Sequence, residues 1–156
     1  MGAVRTVDQV LIRAPVARVF QFACEIERWP YILPHYRWVR FLDRRDGGGT
    51  VEMAAWRPFG PLRYPAWWVS EMTVDREARE IRYRHVRGIT RGMDVAWRLA
   101  SAPGRAGVAV TIVHAWQGPA WPLVGALAAR LVIGPVFIRG IASRTLGGIK
   151  TFAEGS

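Results

Sequence analysis

The sequence predicts an α+β fold in which a seven-stranded, curved antiparallel sheet wraps around a long C-terminal helix, with two short helices after the first strand. Three observations predict it: a helical apolar stripe follows one N-terminal strand, six strand-like runs then succeed one another with only turns between them, and a long apolar segment closes the chain. Strands joined without intervening helices favour antiparallel pairing. The predicted helices lie near the two ends of the chain, outside the run of six strands, which favours packing of the helices on one side of the sheet. We expect the 156 residues to form a single domain, 1–156.

The first elements are a strand and two short helices. Residues 6–12 loosely alternate between polar and apolar and predict the strand. Pro15 suits the start of a helix because its missing N–H costs nothing there. The buried stripe of that helix is then marked at helical spacing by Val16, Val19, Phe20 and Ala23. A second short helix is predicted after Trp29-Pro30 and ends at Pro34.

Six strands and one long helix complete the order. The strands are predicted at residues 36–42, 50–57, 63–74, 80–86, 93–100 and 107–116, with turns such as Asp46-Gly47-Gly48-Gly49 between them. Residues 122–152 predict one long helix, which Pro135 kinks. The stretch 121–138 approaches the length of a membrane span, but Arg130 and the Gly134-Pro135 pair disfavour one. We therefore expect this helix to pack on the sheet without stable membrane insertion, and weak membrane-surface contact stays open.

Charge and cysteine content limit which partners and which cellular compartment we expect for this protein. The formal charge is +10, and Lys150 is the one lysine among 22 basic residues. Such a balance favours acidic partners. Because the arginines are spread over strands without a nucleic-acid-binding motif, we expect no nucleic-acid partner. Cys24 stands alone and the N-terminus has no signal-type apolar run, so we expect a cytoplasmic protein without internal disulfides.

The aromatic residues are unusually rich in tryptophan, with 8 Trp against 6 Phe and 4 Tyr. A tryptophan buries a large area but carries an N–H that needs a partner, so it suits pocket walls and interfaces. The alternative is a core that happens to be rich in tryptophan. We favour a cavity that holds a hydrophobic small molecule.

Several segments carry a resemblance to a known family. The start APVARVFQFACEIERWPYILPHY, the later WVSE, RHV and MDVAW segments and the ending IASRTLGGIK resemble the polyketide cyclase/dehydrase group of the START-like helix-grip (SRPBCC) superfamily, from about Ala14 to Phe152. The resemblance implies a helix-grip fold with an internal cavity. In aromatase/cyclases of this group, a poly-β-ketone on an acyl carrier protein undergoes aldol ring closure and dehydration in that cavity.

The resemblance also implies particular pocket residues. Those that match the family's pocket are Trp29, Tyr36, Trp68, Ser70 and Trp97. The family's cavity arginine falls on Met72, so a fixed cation that would polarise a keto group is lost there. Met72 is accordingly retained as a ligand-binding position and not as a catalytic one.

Strand alternation supplies further polar candidates, because alternate residues face the same side of a sheet. Arg57 shares a face with Met53, His85 shares one with Tyr83, and His114 lies on the face of Ile112. We take Tyr36, Arg57 and His85 as candidate catalytic residues and His114 as a candidate ligand contact. The alternatives are hydrogen-bonded core histidines and an arginine that extends to solvent. By the same alternation, the outward-facing residues are Arg82, Arg84 and Arg98.

The sequence and the family resemblance leave two main functions and a third, minor one. The first is that of an aromatase/cyclase-like protein, which promotes aldol cyclisation and dehydration and docks an acidic acyl carrier protein. The other is non-catalytic binding or transport of a lipid, quinone or pigment. A third is a membrane-surface protein anchored by Trp67 and the C-terminal helix. The histidines lack metal-ligand spacing and Gly47-Gly48-Gly49 is no phosphate loop, so we expect neither a metal nor a cofactor.

Overall fold

Our computed structural model describes residues 4–59, 61–88, 90–102, 107–117 and 135–155, with the backbone alone at 57–59, 64 and 135–143. The strands are β1 (Val4–Ile12), β2 (Tyr36–Arg45), β3 (Gly48–Phe59), β4 (Leu62–Asp75), β5 (Glu80–Gly88), β6 (Asp94–Ser101) and β7 (Val108–Trp116). The helices are α1 (Val16–Cys24), a 3-10 turn (Ile26–Arg28), α2 (Trp29–Ile32) and α3 (Pro135–Glu154).

The seven strands form one antiparallel sheet in the order β1-β7-β6-β5-β4-β3-β2. Register shifts interrupt the β2–β3 pairing twice, between Tyr36 and Trp38 and between Phe41 and Asp43, and one more lies between Val69 and Ser70 on β4. Irregularities of this kind bend a strand and increase its twist, which curves the sheet. The predicted α+β architecture is confirmed.

The first hairpin turn is tighter than predicted. Asp46 and Gly47 form the turn, whereas Gly48 and Gly49 already belong to β3. Gly48 has φ +149°, and a Cβ there would lie 1.9 Å from the Met72 carbonyl oxygen. Glycine therefore lets β3 approach β4 closely at a point where the sequence alone indicated only a turn.

Helix α3 packs mainly against β1. The Lys150 ammonium donates a hydrogen bond to the Leu11 carbonyl oxygen at 2.8 Å, and the Glu154 carboxylate accepts one from the Arg13 backbone N–H at 2.9 Å. The predicted helix at 122–152 is confirmed from Pro135 onward and extends two residues further. Its part at 122–134, with the predicted kink at Pro135, lies outside the described residues.

Gly148 lets α3 approach the end of α2. A Cβ at this position would lie 2.1 Å from a methyl carbon of Leu33. The close contact brings Thr145, one helical turn earlier, beside His35 and Tyr36 at the start of β2. Within the described residues, no helix combines the length and the hydropathy needed to cross a membrane.

Candidate functional site

A cavity of about 70 Å³ lies between the sheet and the helices α2 and α3. Six of the nine residues singled out from the sequence line it: Trp29, Tyr36, Trp68, His85, Trp97 and His114. The described part of its wall contains no charged side chain. It is about half the size of the ~150 Å³ cavity that admits a benzene molecule, so a larger ligand requires side chains to move.

Aromatic rings make one continuous wall. The Trp29 ring lies 5.3 Å from the Tyr36 ring and 5.5 Å from the Trp97 ring, measured between centroids, and Trp68 lies 6.4 Å from Tyr36. These are favourable separations for tilted aromatic pairs. The Trp29 indole N–H donates to the Phe22 carbonyl oxygen at 3.0 Å, so the ring is held in place with its polar atom satisfied.

The Tyr36 hydroxyl is held by a short chain of buried polar groups. The Thr145 hydroxyl donates to Tyr36 Oη at 3.4 Å, and His35 Nε2 lies 2.9 Å from the same threonine oxygen. Burial raises the pKa of Tyr36 to about 12, although the Thr145 hydrogen bond opposes this. Tyr36 is therefore a neutral phenol near pH 7, able to donate a hydrogen bond to a ligand oxygen.

His85 is buried and hydrogen-bonded. Its Nδ1 lies 2.6 Å from Thr90 Oγ1, and its ring stacks parallel to Trp68 at 5.7 Å. Burial lowers the pKa of His85 to about 3, with His114 adding to the shift, and burial lowers the pKa of His114 to about 4. Both imidazoles are neutral near pH 7, which makes them weak bases.

The other three candidates have different positions. Ser70 and Met72 are buried on the cavity side of β4, outside the cavity wall itself, where they pair with His85 and Tyr83 in register. Arg57 pairs with Tyr64 through the backbone of β3 and β4, and its side chain lies outside the described part of the chain. Its candidacy remains a prediction. The arginines predicted to face outward, Arg82, Arg84 and Arg98, are exposed.

Four polar residues of the site were not among the candidates. Tyr83, Thr90 and Thr145 line the cavity, and His35 lies behind Thr145. Alternation along β5 placed Tyr83 beside His85, so that signal was available in the sequence. Thr145 and Thr90 carry no such signal, because a helix-to-sheet contact and a loop contact brought them there. The described residues hold no cluster of three groups that could bind a metal ion.

The buried histidines predict a loss of stability in mild acid. The folded chain favours neutral His85, whereas the unfolded chain takes up a proton below pH 6.5. The contribution of neutral His85 to the free energy of unfolding is therefore complete above about pH 6.5, and it is lost as the pH falls toward 3. We expect the free energy of unfolding to drop by about 1–2 kcal/mol between pH 7 and pH 5 from His85 alone. Two further histidines, His35 and His114, act in the same direction.

Urea unfolding at pH 7 and pH 5 measures this drop. His85→Gln should reduce it by the share of one histidine, whatever the variant's stability at pH 7. A free energy of unfolding that stays constant over this range would contradict the prediction, because His85 would then have the same pKa in the folded and unfolded chain.

Comparison with known proteins agrees with this architecture. The profile of the family "Polyketide cyclase / dehydrase and lipid transport" matches residues 12–135. A protein of Streptomyces cyaneus that bears the name "Putative polyketide cyclase" is 30% identical over 100 residues. The match covers 63% of this chain and 64% of that protein, slightly under two thirds of its length.

Solved structures support the fold. The Zhui aromatase/cyclase from Streptomyces sp. R1128 superposes with a TM-score of 0.83 at 18% identity, covering 98% of this chain and 94% of that one. The di-domain ARO/CYC StfQ from the steffimycin biosynthetic pathway gives 0.77 at 20% identity, covering 98% of this chain and 52% of that one. At such identities the likeness establishes the helix-grip fold alone. With most of its length matched by the family profile, this chain belongs to the polyketide cyclase/dehydrase and lipid transport family.

Proposed function

We propose that this protein binds an uncharged polyketide intermediate in its aromatic cavity and promotes aldol cyclisation and dehydration. The observation that carries the proposal is Tyr36, which lines a cavity walled by tryptophan and whose hydroxyl accepts a hydrogen bond from Thr145 in the same wall. The apolar wall excludes water from a reactive chain, and the fixed phenol meets one carbonyl oxygen.

In the ring-closing step, an enol carbon of the ligand attacks a carbonyl carbon and the new C–C bond forms. The carbonyl electron pair moves to its oxygen, which takes a proton from Tyr36. The proton lost from the enol returns to the Tyr36 oxygen. Dehydration then removes that hydroxyl and a hydrogen from the neighbouring carbon as water. Neutral His85 and His114 are the nearest acceptors for a carbon-bound proton, although their low pKa values make them weak ones.

The cavity must widen to admit such a ligand. Two of its lining residues are Met53 and Met93, both nearly fully buried. Methionine is unbranched and repacks at low cost, so these side chains are the ones that we expect to move first. Trp29 and Trp97, held by ring contacts and by the Trp29 hydrogen bond, keep their part of the wall in place.

A carrier-bound substrate would require a docking surface, and we propose that the exposed arginines serve an acidic acyl carrier protein. Arg37 and Arg63 are both exposed and each lies 4.6 Å from the Trp56 ring. Stacking on an indole restrains these guanidinium groups on the outer face of β2–β4. Association with an acidic carrier should therefore weaken as the salt concentration rises.

Non-catalytic carriage of a lipid, quinone or pigment is the second candidate. It is favoured by the neutral wall, in which no arginine stands where the family resemblance implied one, and by the poor basicity of His85. Such a protein would need the apolar cavity but no proton transfer.

Reconstitution with a minimal polyketide synthase and its carrier protein distinguishes the cyclase function from non-catalytic carriage. Under the cyclase proposal, adding this protein changes the ring pattern of the products. An unchanged product spectrum, together with a lipid or quinone seen by native mass spectrometry in the protein as purified, would establish carriage instead.

A further inference from the structure

The hydroxyl of Tyr83 is a buried polar group that makes no hydrogen bond to the described part of the chain. Tyr83 is 6% exposed, and its Oη has no hydrogen-bond partner among the described residues. Tyr36, the other tyrosine of the cavity wall, differs in this respect because Thr145 contacts its hydroxyl. A buried hydroxyl that makes no hydrogen bond costs stability, and phenylalanine would fill the same space without that cost.

The position of Tyr83 directs this group toward the ligand space. Tyr83 lies on the cavity side of β5, between Met72 of β4 and Val95 of β6 in register, and it lines the cavity. The Val95 side chain has no acceptor, and the Met72 thioether, a weak acceptor, makes no hydrogen bond with the Tyr83 hydroxyl. The hydroxyl must therefore find its acceptor inside the cavity itself.

We propose that Tyr83 donates a hydrogen bond to an uncharged oxygen of the bound molecule and selects oxygenated ligands over hydrocarbons of the same shape. The inference rests on the proposed ligand-binding function and adds a specificity-determining residue to it. Burial, followed by the nearby Tyr36 and Cys24, raises the pKa of Tyr83 well above its ordinary value, so the group stays a donor throughout the neutral range.

The same surroundings favour a ketone or phenol oxygen over a carboxylate. The described cavity wall holds no charged side chain, and both of its histidines are neutral near pH 7. A carboxylate buried there would lose its hydration without gaining a counter-charge. Tyr83 and Tyr36 instead offer two neutral donors to a molecule that carries more than one carbonyl group.

Two small ligands of nearly equal shape test the proposal. Cyclopentanone and methylenecyclopentane differ by oxygen against a CH₂ group. Each has six non-hydrogen atoms, so both need the same modest widening of the cavity, which we assign to Met53 and Met93. Titrations followed by the indole N–H signals in NMR give the two dissociation constants. We expect Tyr83→Phe to reduce the preference for the ketone by about fivefold, the effect of one hydrogen bond. Affinity for the hydrocarbon should not fall.

Tyr31→Phe is the matched control, because Tyr31 is 89% exposed and its hydroxyl lies away from the cavity wall. It should leave both constants unchanged. In wild type, the carbonyl ¹³C signal of bound cyclopentanone should move downfield, and Tyr83→Phe should reverse part of that shift. Without ligand, Tyr83→Phe should melt at the same or a higher temperature than wild type.

Each result is decisive. If Tyr83→Phe keeps the full ketone preference and the full carbonyl shift, cyclopentanone binds without this hydroxyl and the inference is wrong, while ligand binding stands. A lower melting temperature of the free variant would also overturn it, because the hydroxyl would then stabilise the fold. If neither compound binds wild type, the cavity is no ligand site and the proposed function falls with the inference.

Discussion

Tyr36→Phe should slow aldol cyclisation by about a hundredfold or more while changing ligand affinity little. Removing one donor aimed at a developing oxyanion costs on the order of 10²–10³ in rate. Phenylalanine keeps the ring that contacts Trp29 and Trp68, so the wall of the cavity remains in place. The measurement is the rate of product formation in the reconstituted polyketide synthase system, with affinity determined separately by tryptophan fluorescence.

The control for this variant is Tyr31→Phe, which loses a hydroxyl at an exposed site on α2. It should have the wild-type rate. A Tyr36→Phe protein that cyclises at the wild-type rate would remove Tyr36 from the mechanism and favour carriage. A loss of affinity with an unchanged rate at saturating substrate would instead mean that the hydroxyl only contributes to substrate binding and does not promote the reaction.

Trp29→Ala should lower the free energy of unfolding by about 3–5 kcal/mol, the usual cost of removing a buried tryptophan. Trp29 is 2% exposed, contacts the rings of Tyr36 and Trp97, and donates a hydrogen bond to the Phe22 carbonyl. Its loss removes the ring contacts that join α2 to Tyr36 of β2 and Trp97 of β6. Urea unfolding of the variant and of wild type, at pH 7, gives the difference.

Two companion variants keep this prediction testable even if Trp29→Ala folds poorly. Tyr31→Ala, two residues away and 89% exposed, should cost less than about 0.5 kcal/mol. Trp29→Phe retains a ring but loses the N–H donor. We expect this variant to fold, and to bind ligand more weakly than wild type does. If Trp29→Ala proved as stable as wild type, the residue would not hold the wall together.

The order of strands and helices was predictable because it depends on local patterns. These patterns are read over a few neighbouring positions: proline immediately before α1, the helical stripe through Val19 and Phe20, and turn residues between alternating runs. Element ends were less certain. β2 continues to Arg45 and β3 already begins at Gly48, because pairing between the strands extends both beyond their apolar runs.

The cavity face was predictable only in part. Alternation indicated that His85 and His114 face inward, and the family resemblance indicated the aromatic wall. Neither strand alternation nor the family resemblance predicted that Thr145 contacts Tyr36, because that contact joins residues 109 positions apart. It depends on how closely α3 approaches α2, which Gly148 permits.

By itself, the sequence determined an α+β chain with an antiparallel sheet, a tryptophan-rich interior and the family to which the chain belongs. Only the tertiary structure decided which of those residues share one cavity, how small that cavity is, and that its histidines and tyrosines are neutral near pH 7. The physical reason is that strand and helix patterns arise between neighbours in the chain. Burial, hydrogen-bond partners and the resulting pKa shifts arise between residues that only folding brings together.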